Sequence, residues 1–399
     1  MELHMDIKIN FSGRSLAYTE EEIDVVVKAM READPLTQGH YQAEFQERFC
    51  AFNQTPYAFA VMNGTAALEL AATLCCLKKG DEVVIPSHTF TSSAYPFARR
   101  GARLVWADID PVTRVVNAET IRAVLSPNTR VIVVVHLYGY VADMPSIMAL
   151  AKERGILVVE DACQAIGADI DGVMAGSFAD FGIFSFHSHK NLTTLGEGGM
   201  ITCKDKRHAA VIPMLRHNGH CPFEQPRADY WVPAMGNVDF PMLDGQVLWP
   251  YNYCIGEIEC ALGAKQLERV LQINQEKRER ALAFMDALSA YPELVFHRVD
   301  GTRHNYHLLA ARMDGPALRR DDFIRRMFNE YGIKCVVQYY PLNRYDFYRK
   351  LGLGDANCPN ADDFYDHMVS FPFQHSLTDD ALSYMLDSAK KVLAAQRAR

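Results

Sequence analysis

The stretch FGIFSFHSHKNLTTLGEGGM, residues 181–200, decides how this chain is read. Residues 181–186 form an apolar run of the kind that makes a strand buried on both faces. A polar stretch follows with a single lysine, Lys190, and then the glycine-rich run Gly196-Glu197-Gly198-Gly199. Just past an apolar strand an amine can be held partly out of water, which favours its neutral, nucleophilic form. Taken alone, such a lysine reads as an ordinary side chain of a surface loop. The stretches upstream give it a second reading.

Working outward, short apolar runs at 57–62, 82–86, 103–106, 131–135, 156–160, 181–186 and 200–203 alternate with helical patterns such as 65–77 and 144–154. Continuous β-branched strands alternating with helices predict an α/β fold with a mainly parallel sheet covered on both faces. Two helices, 19–32 and 42–52, lead in, broken by Asp34-Pro35. Residues 204–217 read as helical. The 218–250 segment then loses periodicity and is rich in Pro, Gly and aromatics, which marks a functional or interface loop. A long helix from Glu257 opens a smaller α+β region. That region has strands expected near 294–298, 306–311 and 334–338 and helices near 320–331 and 378–394. The division expected is a lead-in and large domain over 1–250 and a smaller domain over 251–399.

The bulk properties narrow the function. The 399 residues, 49% hydrophobic and 23% charged, are enough for two domains of a soluble protein. A net charge of −8 offers no global basic field for nucleic acid or an anionic membrane. The start, MELHMDIKIN, lacks the pattern of a signal peptide, and no apolar run approaches the ~18 residues of a spanning helix. Ten cysteines without a C-x-x-C pair suit free thiols in a reduced cytoplasm. His187 with His189, and His217 with His220 and Cys221, lack a second matching pair of ligands, so no metal is expected.

In an open parallel sheet, ligands collect at the carboxyl ends of the strands. Asn63-Gly64-Thr65-Ala66 follows one strand and opens the next helix. There, free amides and a hydroxyl read either as a phosphate site or as an ordinary helix cap. Glu160-Asp161-Ala162-Cys163-Gln164 follows another strand. Its acids call for a cationic partner, which is either a protonated ring nitrogen or a salt bridge or cap. Phe90, after a third strand, reads equally as a ring stacked on a ligand or as core packing. Ser185 and Lys190 complete the set. A phosphate cradle, an acid and a lysine at strand ends match the three handles of pyridoxal phosphate: its phosphate, its pyridine nitrogen and its aldehyde.

Six motifs carry a resemblance: NGTAALEL (63–70), GDEVVIPSHTFTSSA (80–94), VVVHLYGYVADM (133–144), VVEDACQAIGA (158–168), FSFHSHKNLTTLGEGGMI (184–201) and NYCIGEIECALGAKQL (252–267). In this order, from about residue 34 to 380, they resemble the sugar aminotransferases named after DegT, DnrJ, EryC and StrS. Those proteins are fold-type I pyridoxal phosphate enzymes. The resemblance implies that Lys190 bonds the cofactor aldehyde and then moves the proton between donor and cofactor. It implies that Asp161 pairs with the pyridinium nitrogen and that Gln164 lies near the ring hydroxyl. Gly64, Thr65, Ala66 and Ser185 would hold the phosphate, and Phe90 would stack on the ring. Asn252 would reach the phosphate in a neighbouring subunit, so a homodimer with shared sites is implied. Two departures stand out: Leu195 lengthens the loop after the lysine, and Cys254 stands where the family often has arginine.

The implied reaction takes an amino group from an amino-acid donor, glutamate or glutamine, to a keto-sugar acceptor, a nucleotide-linked 3- or 4-keto-deoxysugar. A cyclitol ketone is the alternative acceptor. A sugar dehydratase, whose relatives carry histidine at the lysine position, and a non-catalytic pyridoxal phosphate sensor are the lesser readings. Arg227, Tyr230, Trp231 and Trp249 are expected to form a specificity surface, with His304-Asn305-Tyr306 and Gln338-Tyr339-Tyr340 closing over the sugar.

Overall fold

The computed structural model describes residues 6–11, 13–223, 236–315 and 319–398. At its centre lie seven strands: β1 (Tyr57–Val61), β2 (Glu82–Pro86), β3 (Arg103–Ala107), β4 (Thr129–Val135), β5 (Leu157–Asp161), β6 (Phe181–Ser185) and β7 (Gly199–Cys203). They pair in the order β1-β7-β6-β5-β4-β2-β3. All neighbours are parallel except those of β7, which runs antiparallel to both β1 and β6. The expected strands therefore all form. Their uniformly apolar runs are those of a sheet covered on both faces.

Three helices position the site from outside the sheet. Helix α1 (Glu20–Glu32) starts at Thr19, whose hydroxyl and the Glu22 carboxylate make a reciprocal capping box. Helix α2 (His40–Asn53) has no side-chain cap of its own. Buried Glu257 supplies one, accepting from the amides of Gly39 at 2.7 Å and Tyr41 at 2.8 Å, so a carboxylate meets the positive helix end. Helix α3 (Gly64–Leu74) follows β1 directly and packs on β6 and β7.

Two expectations for the C-terminal half are corrected. The long helix from Glu257 is two helices, Glu257–Gln266 and Val270–Ala287. Between them Arg269 turns back to buried Glu22 at 2.6 Å, a tertiary ion pair that no Gly or Pro announces. The strand expected at 334–338 does not form. Val336 makes one bridge to Ser370, and the chain then turns so that Gln338 and Tyr339 face a cavity. The small sheet instead consists of β8 (Leu294–Phe296), β9 (Leu309–Met313) and β10 (Met368–Phe371), all antiparallel. Strand β10 was not legible because it follows the helix Pro359–His367 with no breaker between them.

The buried apolar residues form two clusters. The larger surrounds the seven-stranded sheet and includes Phe45, Phe184 and Phe186. The smaller lies under the three-stranded sheet around Phe284, Phe323 and Phe371. No helix among the described residues is long and apolar enough to cross a membrane.

Candidate active site

Strands β1, β2, β5 and β6 point the same way, so the residues that follow them emerge along one edge of the sheet. Asn63–Thr65, Phe90, Asp161, Gln164, Ser185 and Lys190 all line one cavity of about 440 Å³ there. Leu308, Gln338 and Tyr339 close it from the C-terminal half, and Phe11 and Ser15 from the N-terminal segment.

At the mouth of α3 both readings of Asn63–Ala66 hold at once. Asn63 is the N-cap, and its side-chain oxygen takes the Ala66 amide at 2.9 Å. The Ala66 amide, expected to serve a phosphate, thus has an acceptor within the chain. The amides of Gly64 and Thr65 have no acceptor among the described residues. The Thr65 hydroxyl lies 2.9 Å from that of Ser92, and Ser185 ends the neighbouring strand at the same wall. Two free amides at a helix N-terminus, flanked by three hydroxyls, form an anion site.

The two acids at the end of β5 part company. Glu160 is fully buried on the far side, where it accepts from Gly176 N at 2.8 Å and Ala179 N at 2.7 Å and pairs with His136 Nε2 at 2.9 Å. It does not line the cavity. Asp161 does, and its carboxylate accepts from Ser93 Oγ at 2.6 Å and Cys163 N at 3.2 Å. Strand alternation sends neighbours to opposite faces.

Lys190 follows β6 on a turn closed by its own amide, which donates to His187 O at 2.8 Å. Burial pushes its ammonium below the ordinary lysine pKa, against the opposing pull of Cys163 and Asp161. His187 and His189 flank it in the cavity with rings 4.8 Å apart. Gly13 N donates to His189 Nε2 at 3.3 Å, which ties the N-terminal segment to this loop. Leu195, the extra loop residue, takes a left-handed φ of 67° and accepts from Tyr18 OH at 3.4 Å.

Phe90 is 52% exposed, which removes the core-packing reading; its ring meets Tyr339 edge-on at 6.0 Å. Gln164 is gripped at both ends. Its oxygen accepts from Tyr138 N at 2.7 Å, and its amide donates to Tyr339 OH at 3.1 Å.

Asn252 lies outside the cavity, exposed, and bridges to His217. Cys254 places its thiol 3.6 Å from Arg216 O and supplies no cation. Arg227, Tyr230 and Trp231 fall outside the described residues. Trp249 is exposed against Phe240 and does not line the cavity. His304 and Tyr306 stack on each other inside the protein, leaving His307 and Leu308 to face the cavity. Of the other closing triplet, Gln338 and Tyr339 line the wall and Tyr340 does not. No three His, Cys, Asp or Glu side chains among the described residues are grouped to hold a metal.

Sequence reasoning missed Ser92, Ser93 and His307. The serines stand two and three residues beyond Phe90, one helical turn into the same strand-end loop, so their position was available as a signal. His307 had none, because only the packing of the small sheet brings it to the wall.

The chemistry of the lining residues fits pyridoxal phosphate. An anion site, a lysine, a carboxylate and an exposed aromatic ring lie around one cavity, as the four parts of that molecule require.

Comparison with known proteins agrees. A model of the DegT/DnrJ/EryC1/StrS aminotransferase family matches residues 17–390. The spore coat polysaccharide biosynthesis protein SpsC of Bacillus subtilis is 31% identical over 378 residues, covering 94% of this chain and 95% of that protein. A GDP-perosamine synthase of Caulobacter vibrioides is 33% identical over 344 residues, 85% of this chain and 87% of that one. Among solved structures, Spr1654 of Streptococcus pneumoniae in its PMP-form superposes with a TM-score of 0.85 at 26% identity, over 97% of this chain and 100% of that one. The chain therefore belongs to the DegT/DnrJ/EryC1/StrS aminotransferase family and is a pyridoxal phosphate-dependent aminotransferase.

Proposed function

We propose that this enzyme moves an amino group from glutamate or glutamine to a nucleotide-linked 3- or 4-keto-deoxysugar, with Lys190 and Asp161 as its working residues. The observation that carries the residue roles is the convergence of four strand ends on one cavity, with an amine and a carboxylate on its walls. The name of the Caulobacter relative, a synthase of a GDP-linked amino sugar, supports the acceptor class.

Bound pyridoxal phosphate supplies an aldehyde that exchanges amines and a ring that takes up the electron pair left by a departing proton. The chain supplies the rest. Gly64 and Thr65 amides, with the hydroxyls of Thr65, Ser92 and Ser185, would hold the phosphate. Asp161, oriented by Ser93 Oγ and Cys163 N, would pair with the ring nitrogen. Phe90 would stack on the ring, and Gln164, fixed by Tyr138 N and Tyr339 OH, would lie near the ring hydroxyl. The Lys190 amine, made easier to deprotonate by burial, would move the proton between the donor Cα and C4′ of the cofactor, and in the acceptor half-reaction between C4′ and the acceptor carbon.

A dehydratase is disfavoured because Lys190 itself stands where that reaction would use histidine. A second copy of the chain completes the site in this reading. Asn252 is exposed and does not line its own cavity, and Met242, Val247 and Trp249, shortly before it in sequence, are exposed apolar side chains. The free state of all ten cysteines supports work in the cytoplasm.

The test is spectroscopic. Protein loaded with pyridoxal phosphate should show a visible band that glutamate or glutamine bleaches. A panel of keto acceptors, nucleotide-linked sugars and cyclitol ketones alike, should identify the substrate by restoring the band. A Lys190→Ala protein with full turnover would end the reading of Lys190.

A further inference from the structure

One buried lysine has no part in the chemistry described so far. Lys277, on the helix Val270–Ala287, is 1% exposed. No carboxylate pairs with it among the described residues. Burial alone pushes its ammonium down to about 7. Its Nζ donates to two neutral oxygens, Asn191 Oδ1 and His307 O, each at 3.0 Å, and lies 5.5 Å from the Phe373 ring centroid. An amine buried without a counter-charge is a poor stabiliser. Its partners show what it does instead.

Asn191 follows Lys190 directly in sequence, and His307 lines the cavity. Both ends of the Asn191 amide are taken: Oδ1 by Lys277, and Nδ2 by Asn274 Oδ1 at 2.8 Å. Asn274 sits one turn before Lys277 on the same helix, and its own Nδ2 donates to Ile166 O at 2.8 Å, in the loop that carries Asp161 and Gln164. Asn305 Nδ2 reaches the same Ile166 oxygen at 3.1 Å, and Asn305 Oδ1 accepts from His307 N at 2.9 Å. Asn191, Asn274, Lys277 and Asn305 are all at most 2% exposed. Three separate segments are thus tied at one buried node: the lysine loop, the acid loop and the 305–307 stretch of the C-terminal half.

We infer that Lys277 is a positioning residue of the transamination site: through Asn191 it fixes the backbone that carries Lys190, and with Asn274 it sets the spacing between that lysine and the loop of Asp161. Such a node is effective because each member has its partners, and removing one member leaves the others unpaired. The helix acts as the rigid bar, with Asn274 and Lys277 on one face at i, i+3. This inference rests on the reading of Lys190 as the cofactor-bearing residue.

A double-mutant cycle with Lys277→Met and Asn191→Ala tests it, since coupled residues fail to add. Two quantities are read without turnover: pyridoxal phosphate affinity, and amide exchange over residues 186–194 in cofactor-free protein. The third is the donor half-reaction, followed at the visible band. Each single variant should weaken cofactor binding at least tenfold, speed exchange in that loop at least tenfold and slow the half-reaction at least tenfold. The double variant should be no worse than the weaker of the two singles. If Lys277→Met does not fold, Asn191→Ala, which reads the same contact from the loop side, decides. Singles within twofold of wild type, or effects that multiply in the double, overturn the role. Absence of the visible band from wild-type protein would instead overturn the assignment of Lys190, and this role with it.

Discussion

Glu160 and Asp161 are adjacent carboxylates at the end of one strand, and they serve opposite sides of the sheet. Glu160 points into the protein, where His136 and two backbone amides satisfy it. Asp161 points into the cavity, held by a serine hydroxyl and one amide. The difference teaches that a buried acid identifies a site only when its face of the strand is known. The cavity face should carry chemistry with little stability, and the far face stability with little chemistry.

The largest break in that comparison is at Lys190. Lys190→Ala should abolish measurable turnover and the visible band while leaving the melting temperature of cofactor-free protein nearly unchanged. Next, Asp161→Ala should lower kcat by about 10²–10⁴-fold, the usual range for losing a group that acts in the transition state. A kcat within tenfold of wild type would place Asp161 with Glu160 as structural. On the far face, Glu160→Gln turns an amide NH₂ toward donors. It should destabilise the fold by about 3–5 kcal/mol in denaturant titrations, as for a broken buried pair. Cofactor affinity of the remaining folded protein should stay as it was. Phe90→Ala, at the exposed rim of the cavity, should weaken cofactor binding by about 0.5–1.5 kcal/mol, read by fluorescence titration.

A further comparison runs through pH. The folded-state pKa of Lys277, about 7, lies below the ordinary lysine value of 10.5. Between those limits the unfolded chain binds the proton and the folded chain does not, so stability from this group rises with pH. Cofactor-free wild type should therefore gain stability relative to Lys277→Met as pH rises from 7 towards 10. A constant difference across that window would show that Lys277 does not titrate as its burial demands.

Much of this was readable beforehand. The seven apolar runs gave the seven sheet strands because strands buried on both faces need no partner to be recognised. Gly64, Thr65, Phe90, Asp161, Gln164, Ser185 and Lys190 could be proposed because each follows such a run, and in a parallel sheet that places it at one edge. That Asn63 also caps the Ala66 amide was not legible, because a cap bond and an anion site look the same in sequence. The helix break before Val270 and the strand Met368–Phe371 were missed because tertiary pairing made them, without a local breaker.

By itself, then, the chain determined its alternating architecture and the short list of groups at the strand ends, since both follow from local periodicity. Only the tertiary structure decided which acid faces the cavity, which amides remain free and how Lys277 reaches the loop of Lys190. Those outcomes depend on contacts between segments tens to hundreds of residues apart, and no local pattern encodes the partner of a buried polar atom.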